Sequence, residues 1–120
     1  MPKYLERGML MNLDRLIMDT LRPLGVPIAK LRYNQSANTY ITFMEYNQAG
    51  RMSADDEEVI TKHFYQVDVF SKTDFTDLVN NVRQSLRDVG FRRMFESETF
   101  DEDMNMFRSI MRFNYEGEIK

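Results

Sequence analysis

The sequence predicts an α+β fold, a two-layer sandwich in the order α-β-β-β-α-β-β, with two helices packed on one face of a mostly antiparallel five-stranded sheet. Three observations lead there. Between Thr61 and Gly90 the spacing of apolar residues switches, across Ser71 to Asp74, from the strand period to the helix period. A second helical stripe lies upstream, from Met9 to Arg22, and after Gly90 two alternating runs flank a turn-forming segment. Two helices with one apolar stripe each can cover one sheet face, which leaves the other open to solvent or to a partner.

In chain order, Leu10, Leu13, Leu16, Ile17 and Leu21 follow one face of the first helix, while Asp14, Arg15, Asp19 and Arg22 lie elsewhere on the wheel. Pro23 and Gly25 end it, because proline lacks a donor and glycine readily takes the left-handed turn. Ile28 to Tyr33 reads as a half-buried strand, with Ile28, Lys30 and Arg32 opposite Ala29, Leu31 and Tyr33; Asn34 to Asn38 then turns the chain. Thr39 to Tyr46 carries apolar groups on both faces, which predicts a central strand or one covered on both sides. Asn47 to Glu58 shows no clear period and is expected to form a loop or a frayed helical turn; long segments of this kind are commonly functional.

The strand from Thr61 to Phe70 places Tyr65, Val67 and Val69 on one face and Phe64, Gln66, Asp68 and Phe70 on the other. The helix that follows has a stripe of Phe75, Leu78, Val79, Val82, Leu86 and Val89, with Thr73 or Asp74 as its cap and Gly90 as its left-handed terminus. Phe91 to Glu98 and Met104 to Glu116 then form a hairpin around a turn at Thr99 to Asp103. The register that gathers the aromatics puts Phe91, Arg93, Phe95 and Ser97 on one side with Phe107, Ser109, Met111, Phe113 and Tyr115. It predicts Phe95 and Phe113 in the core with Phe75 and Leu86. The other side collects Arg92, Met94, Glu96, Glu98, Arg108, Ile110, Arg112 and Asn114, with Glu96 and Glu98 within reach of Arg108.

Composition bounds the function. The 120 residues, 42% hydrophobic and 29% charged, are expected to form one domain spanning residues 1–120, with residues 1–8 flexible. No apolar stretch approaches the roughly 20 residues of a spanning helix, and Met1 to Gly8 lacks the apolar core of a signal peptide, so no membrane partner is expected. The absence of cysteine removes disulfides and thiol chemistry. A net charge of -3 argues against a dedicated or sequence-specific nucleic-acid binder, which gains affinity by releasing phosphate counterions. Ten methionines read mainly as adaptable packing residues.

A catalytic constellation is hard to assemble. His63 is the only histidine and alternates onto the face of Tyr65 and Val67, as a structural side chain would. Asp55, Asp56, Glu57 and Glu58 offer oxygen ligands, but the calcium-loop spacing with its central glycine is missing, so a solvated acidic segment is expected. Neither a glycine-rich phosphate loop nor a nucleophile elbow is present, and no cofactor or metal site is predicted. The candidate surface is a protein contact made of Asp55, Asp56, Glu57, Glu58, Arg92, Glu96, Arg108 and Arg112, the charged groups left over once the stripes are buried. The competing reading is a small cytoplasmic ligand-binding protein or enzyme with its site over the sheet.

The run His63-Phe64-Tyr65-Gln66-Val67-Asp68-Val69-Phe70-Ser71-Lys72, with Leu78-Val79 and Val89-Gly90-Phe91 after it, resembles the small tail-completion proteins of long-tailed bacteriophages. So do the opening Leu21-Arg22-Pro23-Leu24-Gly25-Val26-Pro27 and the closing Met111-Arg112-Phe113-Asn114-Tyr115. The likeness runs from Leu13 to Tyr115 and lies in the pattern of strands and helices; Arg108 stands where a histidine is expected in such proteins. It implies a non-enzymatic protein of the virion tail, assembled in the host cytoplasm, that forms a ring, commonly a hexamer, at the head-proximal end of the tail tube. Its implied partners are further copies of itself, the tail tube protein and the head connector proteins.

Overall fold

In the computed structural model, which describes the backbone of residues 12–52 and 59–119 and the side chains of residues 12–47 and 62–116, the first helix, α1, spans Leu13–Leu21. Its start is fixed by Asn12, whose side-chain oxygen accepts the Arg15 backbone N–H at 3.0 Å. Leu13, Ile17 and Leu21 recur at one helical face and are buried. A 3-10 turn over Arg22–Leu24 carries Pro23, and Gly25 closes it at φ 82°. Met9 to Met11, the predicted opening of this helix, lie outside the described residues, as do residues 1–8.

Strand β1 (Ile28–Lys30) is shorter than the run to Tyr33 that alternation predicts. The reason is local: Leu31 takes φ 71° while its N–H still donates to the Phe43 carbonyl at 2.8 Å, and this left-handed residue turns the chain out of the sheet. Strand β2 (Thr39–Met52) is longer than predicted, and so is β3 (Val59–Ser71). Asn47 to Met52, expected as a loop, is strand because it pairs residue for residue with the start of β3, from Asn47 opposite Phe64 to Met52 opposite Val59. A bulge at Tyr46, between Glu45 and Asn47, had broken the alternation that would have revealed it.

The second helix, α2, spans Thr76–Asp88. Asp74 Oδ1 accepts both the backbone N–H of Thr76, at 3.0 Å, and its hydroxyl, at 2.8 Å; the cap position itself is taken by Phe75, which makes no side-chain cap bond, so the acid predicted as the cap acts one residue earlier. At the other end Gly90 has φ 109° and donates to the Arg87 carbonyl; a Cβ there would stand 2.9 Å from the Tyr115 ring, so glycine is required twice over. Strands β4 (Arg92–Asp101) and β5 (Met106–Ile119) form the predicted hairpin, but Thr99 to Asp101 still pair with β5, so the turn is residues 102–105, with Asn105 at φ 56°, and not Thr99 to Asp103.

The five strands lie in the order β1-β2-β3-β5-β4. β1 runs parallel to β2 and every other pair is antiparallel, which makes the sheet mixed and the fold α+β, as expected. Beyond Asn47, Phe64 and Asn114, neither β1 nor β4 pairs, and β2, β3 and β5 continue alone as a three-stranded ribbon.

Both helices cover the same face. Leu13, Ile17 and Leu21 of α1 and Val79, Val82 and Leu86 of α2 form one core with Ile41, Phe43, Tyr65, Val67, Val69, Met111 and Phe113 of the sheet. The hairpin register departs from expectation at a single residue. Arg93 pairs with Phe113, but Phe95 pairs with Arg112, so Met94 is an extra residue that inverts the phase of the rest of β4. Phe113 is in the core with Phe75 and Leu86 as predicted, whereas Phe95 lies on the open face, 48% exposed. Glu96 and Glu98 move the other way, to the helix-covered face opposite Met111 and Ser109, so neither pairs with Arg108.

Removing the Phe113 ring from this core is expected to lower the unfolding free energy by about 3–5 kcal/mol. Phe95→Ala should cost no more than about 1 kcal/mol, since it removes only an exposed ring and its arginine contact. Denaturant midpoints of the two variants check the inversion at Met94; equal losses would contradict it. Ser109 Oγ is buried and has no hydrogen-bond partner among the described residues, so Ser109→Ala is expected to raise the midpoint, by up to about 1 kcal/mol.

Candidate protein-contact face

Strand alternation decides which groups reach the face that the helices leave bare. On β3 these are Phe64, Gln66, Asp68 and Phe70, and on β5 Arg108, Ile110, Arg112 and Asn114. Because β3 and β5 are neighbours, with Phe70 opposite Arg108 and Gln66 opposite Arg112, the two arginines fall beside the one acid and the one amide of β3.

The result is a connected polar chain. Arg108 Nη2 donates to Asp68 Oδ2 at 2.6 Å and its Nε to the same oxygen at 3.2 Å. Gln66 Nε2 donates to Asp68 Oδ1 at 3.1 Å, and Arg112 Nε donates to Gln66 Oε1 at 3.1 Å. Asp68 is only 5% exposed, so its charge is held by these donors and not by bulk water.

Rings fix the arginines from their other sides. The Arg112 guanidinium lies 5.3 Å from the Tyr46 ring centroid and 5.5 Å from that of Phe95; Arg108 lies 5.2 Å from Phe70. Phe70 stacks on Tyr40 at 4.8 Å, and Tyr40 meets Tyr33 at 4.9 Å, which gives this end of the face an apolar cluster completed by Met106. Such a face can bind by stacking and by charge-assisted hydrogen bonding from side chains that have already lost much of their rotamer freedom.

Of the predicted contact residues, Arg92, Arg108 and Arg112 share this side by register. Glu96 does not: the extra residue at Met94 turns it under α2, where its carboxylate takes Arg83 Nη2 at 2.6 Å, Arg83 Nε at 3.0 Å and Arg93 Nη1 at 2.9 Å. Asp55, Asp56, Glu57 and Glu58 lie outside the described residues. Asp68, Gln66, Tyr46 and Phe95 were not singled out from the sequence. The partnership of Asp68 with Arg108 spans 40 residues of chain and depends on the β3–β5 register; Tyr46 follows the alternation of Tyr40, Thr42 and Met44, whereas Phe95 reaches the face through a bulge that no residue type announces.

On the covered face, His63 keeps company with Tyr65 as alternation required, and its Nδ1 lies 2.6 Å from Glu45 Oε2. The Tyr65 hydroxyl donates to Asp14 Oδ1 at 2.7 Å, and Lys30 Nζ pairs with Asp14 Oδ2 at 2.7 Å, which ties α1 to β1 and β3. Burial above all, and then the bond to Asp14, raises the Tyr65 pKa, so its hydroxyl stays a neutral donor. Among the described residues no group of three or more His, Cys, Asp or Glu side chains could hold a metal ion.

Against solved structures, the fold is similar to a chain described as "Virion of native gene transfer agent (GTA) particle", at 14% sequence identity over 89% of each chain and a TM-score of 0.49. No protein-family model matches the sequence, and no curated protein matches it.

Glu96 generates a pH prediction. The hydrogen bonds from Arg83, foremost, and from Arg93 hold its pKa below the ordinary glutamate range against the opposing effect of burial. A carboxylate with a lower pKa folded than unfolded contributes stability above its ordinary range and loses it as pH falls through the lowered value. Glu96→Gln is therefore expected to unfold more easily than the parent chain at neutral pH and to converge with it in acid. Urea midpoints of the two proteins across that range are the measurement; a gap that persists unchanged in acid would contradict the assignment.

Proposed function

We propose that the chain is a non-enzymatic phage virion assembly protein that forms a ring at the head-proximal end of the tail tube, ends tail growth and joins the tail to the head connector. The observation that carries this reading is the open sheet face, on which Arg108 and Arg112 are held by Asp68, Gln66 and aromatic rings. Arginines immobilised beside aromatics are the kind of group that dominates protein interfaces, because little entropy remains to be lost on contact. The diffuse sequence resemblance to tail-completion proteins supplies the place of that contact. The partners are further copies in the ring, the tail tube protein and the head connector, and the site of action is the virion tail after assembly in the host cytoplasm.

An enzyme or ligand-binding protein working over the sheet would need a reactive group left free there. The buried carboxylate on that face, Asp68, is instead bonded to Arg108 and Gln66. This favours a contact surface.

Electron microscopy of particles made without the protein tests the reading. Detached tails of abnormal length beside full heads are expected, and normal infectious particles would overturn it. Arg112→Ala should melt within a few degrees of the parent chain, since an exposed arginine contributes little to folding. It should nevertheless enter tails poorly, and full incorporation would remove Arg112 from the contact.

A further inference from the structure

A second basic group lies at the β4 edge of the sheet, and Arg92, which register turns to the open side, joins it from that edge. Where the last turn of α2 meets the start of β4, a cavity of about 290 Å³ is lined by Arg83, Arg87, Phe91, Arg92, Arg93 and Phe113. Phe91 and Phe113 are almost fully buried and give it an apolar floor.

The four arginines are not equivalent. Arg83 and Arg93 are both bonded to Glu96, whose single negative charge offsets only one of them. Arg87 and Arg92 carry no ion pair among the described residues. The nearest other acid on the helix, Asp88, accepts from Gln84 Nε2 at 2.8 Å. Arg87 also stands in the last turn of α2, where it offsets the partial negative charge of the helix end that would otherwise repel an anion. The cavity is thus a cationic recess with two unsatisfied guanidiniums and an apolar base, suited to a carboxylate-bearing peptide whose methylene stems rest on the rings.

The same chain carries the complement. Its 19 acidic residues exceed its 16 lysines and arginines, yet taking Asp55, Asp56, Glu57 and Glu58 from the 19 leaves 15 against 16, so the whole negative excess sits in one run of four. By contrast, two arginines of the open face already have partners: Arg108 holds Asp68, and Arg112 holds Gln66 and two rings.

We propose that the arginine cavity between α2 and β4 receives the acidic run Asp55–Glu58 of a second copy of this chain. The contact is heterologous, since cavity and run are different parts of the surface, and repetition of such a contact closes into a ring when the rotation per copy allows it. The proposal rests on the ring reading above and names the charges that set its direction. It also explains how like-charged copies find one another: the overall charge of -3 repels, while the local fields attract over a range that salt shortens.

The test uses a fluorescent peptide of residues 53–60 and, as host, the full chain in which Asp55, Asp56, Glu57 and Glu58 are all replaced by Lys, so that no acidic run in the host competes. At low ionic strength, anisotropy is expected to show saturable binding that added salt weakens. Arg87→Glu with Arg92→Glu in the same host should weaken it by roughly tenfold or more, as for oppositely charged groups across an interface. Neither substitution removes an ion pair seen in the structure, and circular dichroism confirms that the double variant folds. Binding that survives the double variant, or that is equal for a peptide carrying Asn and Gln in place of Asp and Glu, overturns the proposal. So does a result in which a short DNA duplex or inorganic phosphate binds the cavity and the peptide does not.

A second arm separates this failure from failure of the ring. Copies with a reversed cavity and copies with a reversed run should each stay monomeric alone, because like charges then meet at every contact. Mixed in equal amounts, they should assemble as alternating copies. Self-association of the parent chain that neither reversal disturbs would overturn the cavity while leaving the ring intact. If the peptide binds as expected but no mixture and no parent sample associates, even on purified tail tubes, the ring reading and the assigned second-copy occupant both fall.

Discussion

The antiparallel ladder between β3 and β5 is the constraint on which the rest of the molecule depends. It joins two hairpins, β2–β3 and β4–β5, that would otherwise each present a bare edge, and it runs from Val59 opposite Ile119 to Ser71 opposite Phe107. Its register settles both faces at once. With Tyr65 opposite Phe113 and Val67 opposite Met111, the apolar halves of the two strands meet under the helices. The same register necessarily sets Asp68 and Gln66 among Arg108, Ile110 and Arg112 on the reverse. A slip of one residue would bury the polar chain and expose the core, so the open face is as tightly specified as the hydrophobic one.

The fold was legible in the sequence wherever a period persisted. The stripes of α1 and α2, the two faces of β3 and the glycine terminus at Gly90 all follow from spacing and residue chemistry, and the structure has each of them. Legibility ended at three residues. Leu31 in a left-handed conformation stops β1, and the extra residues Tyr46 and Met94 shift the phase of β2 and β4. None of the three belongs to the types that mark such features, glycine, asparagine or aspartate, so no sequence rule flags them. The candidate site suffered more than the fold, because its members are joined by pairings across long stretches of chain. Arg108 and Arg112 could be placed by alternation within one strand, but their partners could not, and Glu96 was misplaced by the single residue at Met94.

That misplacement also reveals how the molecule distributes its arginines. Were β4 regular, Glu96 would stand on the open face among Arg92, Arg108 and Arg112, and its charge would cancel theirs. The extra residue instead delivers Glu96 to α2, where Arg83 and Arg93 close on it and fasten the helix to the edge strand. Phe95 takes its place outside and stacks against Arg112. One inserted residue therefore exchanges a charge for a ring on the open side and a ring for a charge beneath the helix.

The strand order carries a consequence for how the chain reaches this state. Each hairpin closes over a short stretch, β4 and β5 through residues 102–105 alone, and can form from local contacts. The ladder that unites them cannot: Tyr65 finds Phe113 only after α2 and the whole of β4 have been accommodated between them in sequence. Loop closure of that size is an entropic barrier that must be crossed before its contacts contribute, so the late event in folding is the docking of two preformed hairpins. Until then β3 and β5 each offer an unpaired edge rich in apolar side chains, and in that interval the chain is most prone to pair with another copy in the wrong way.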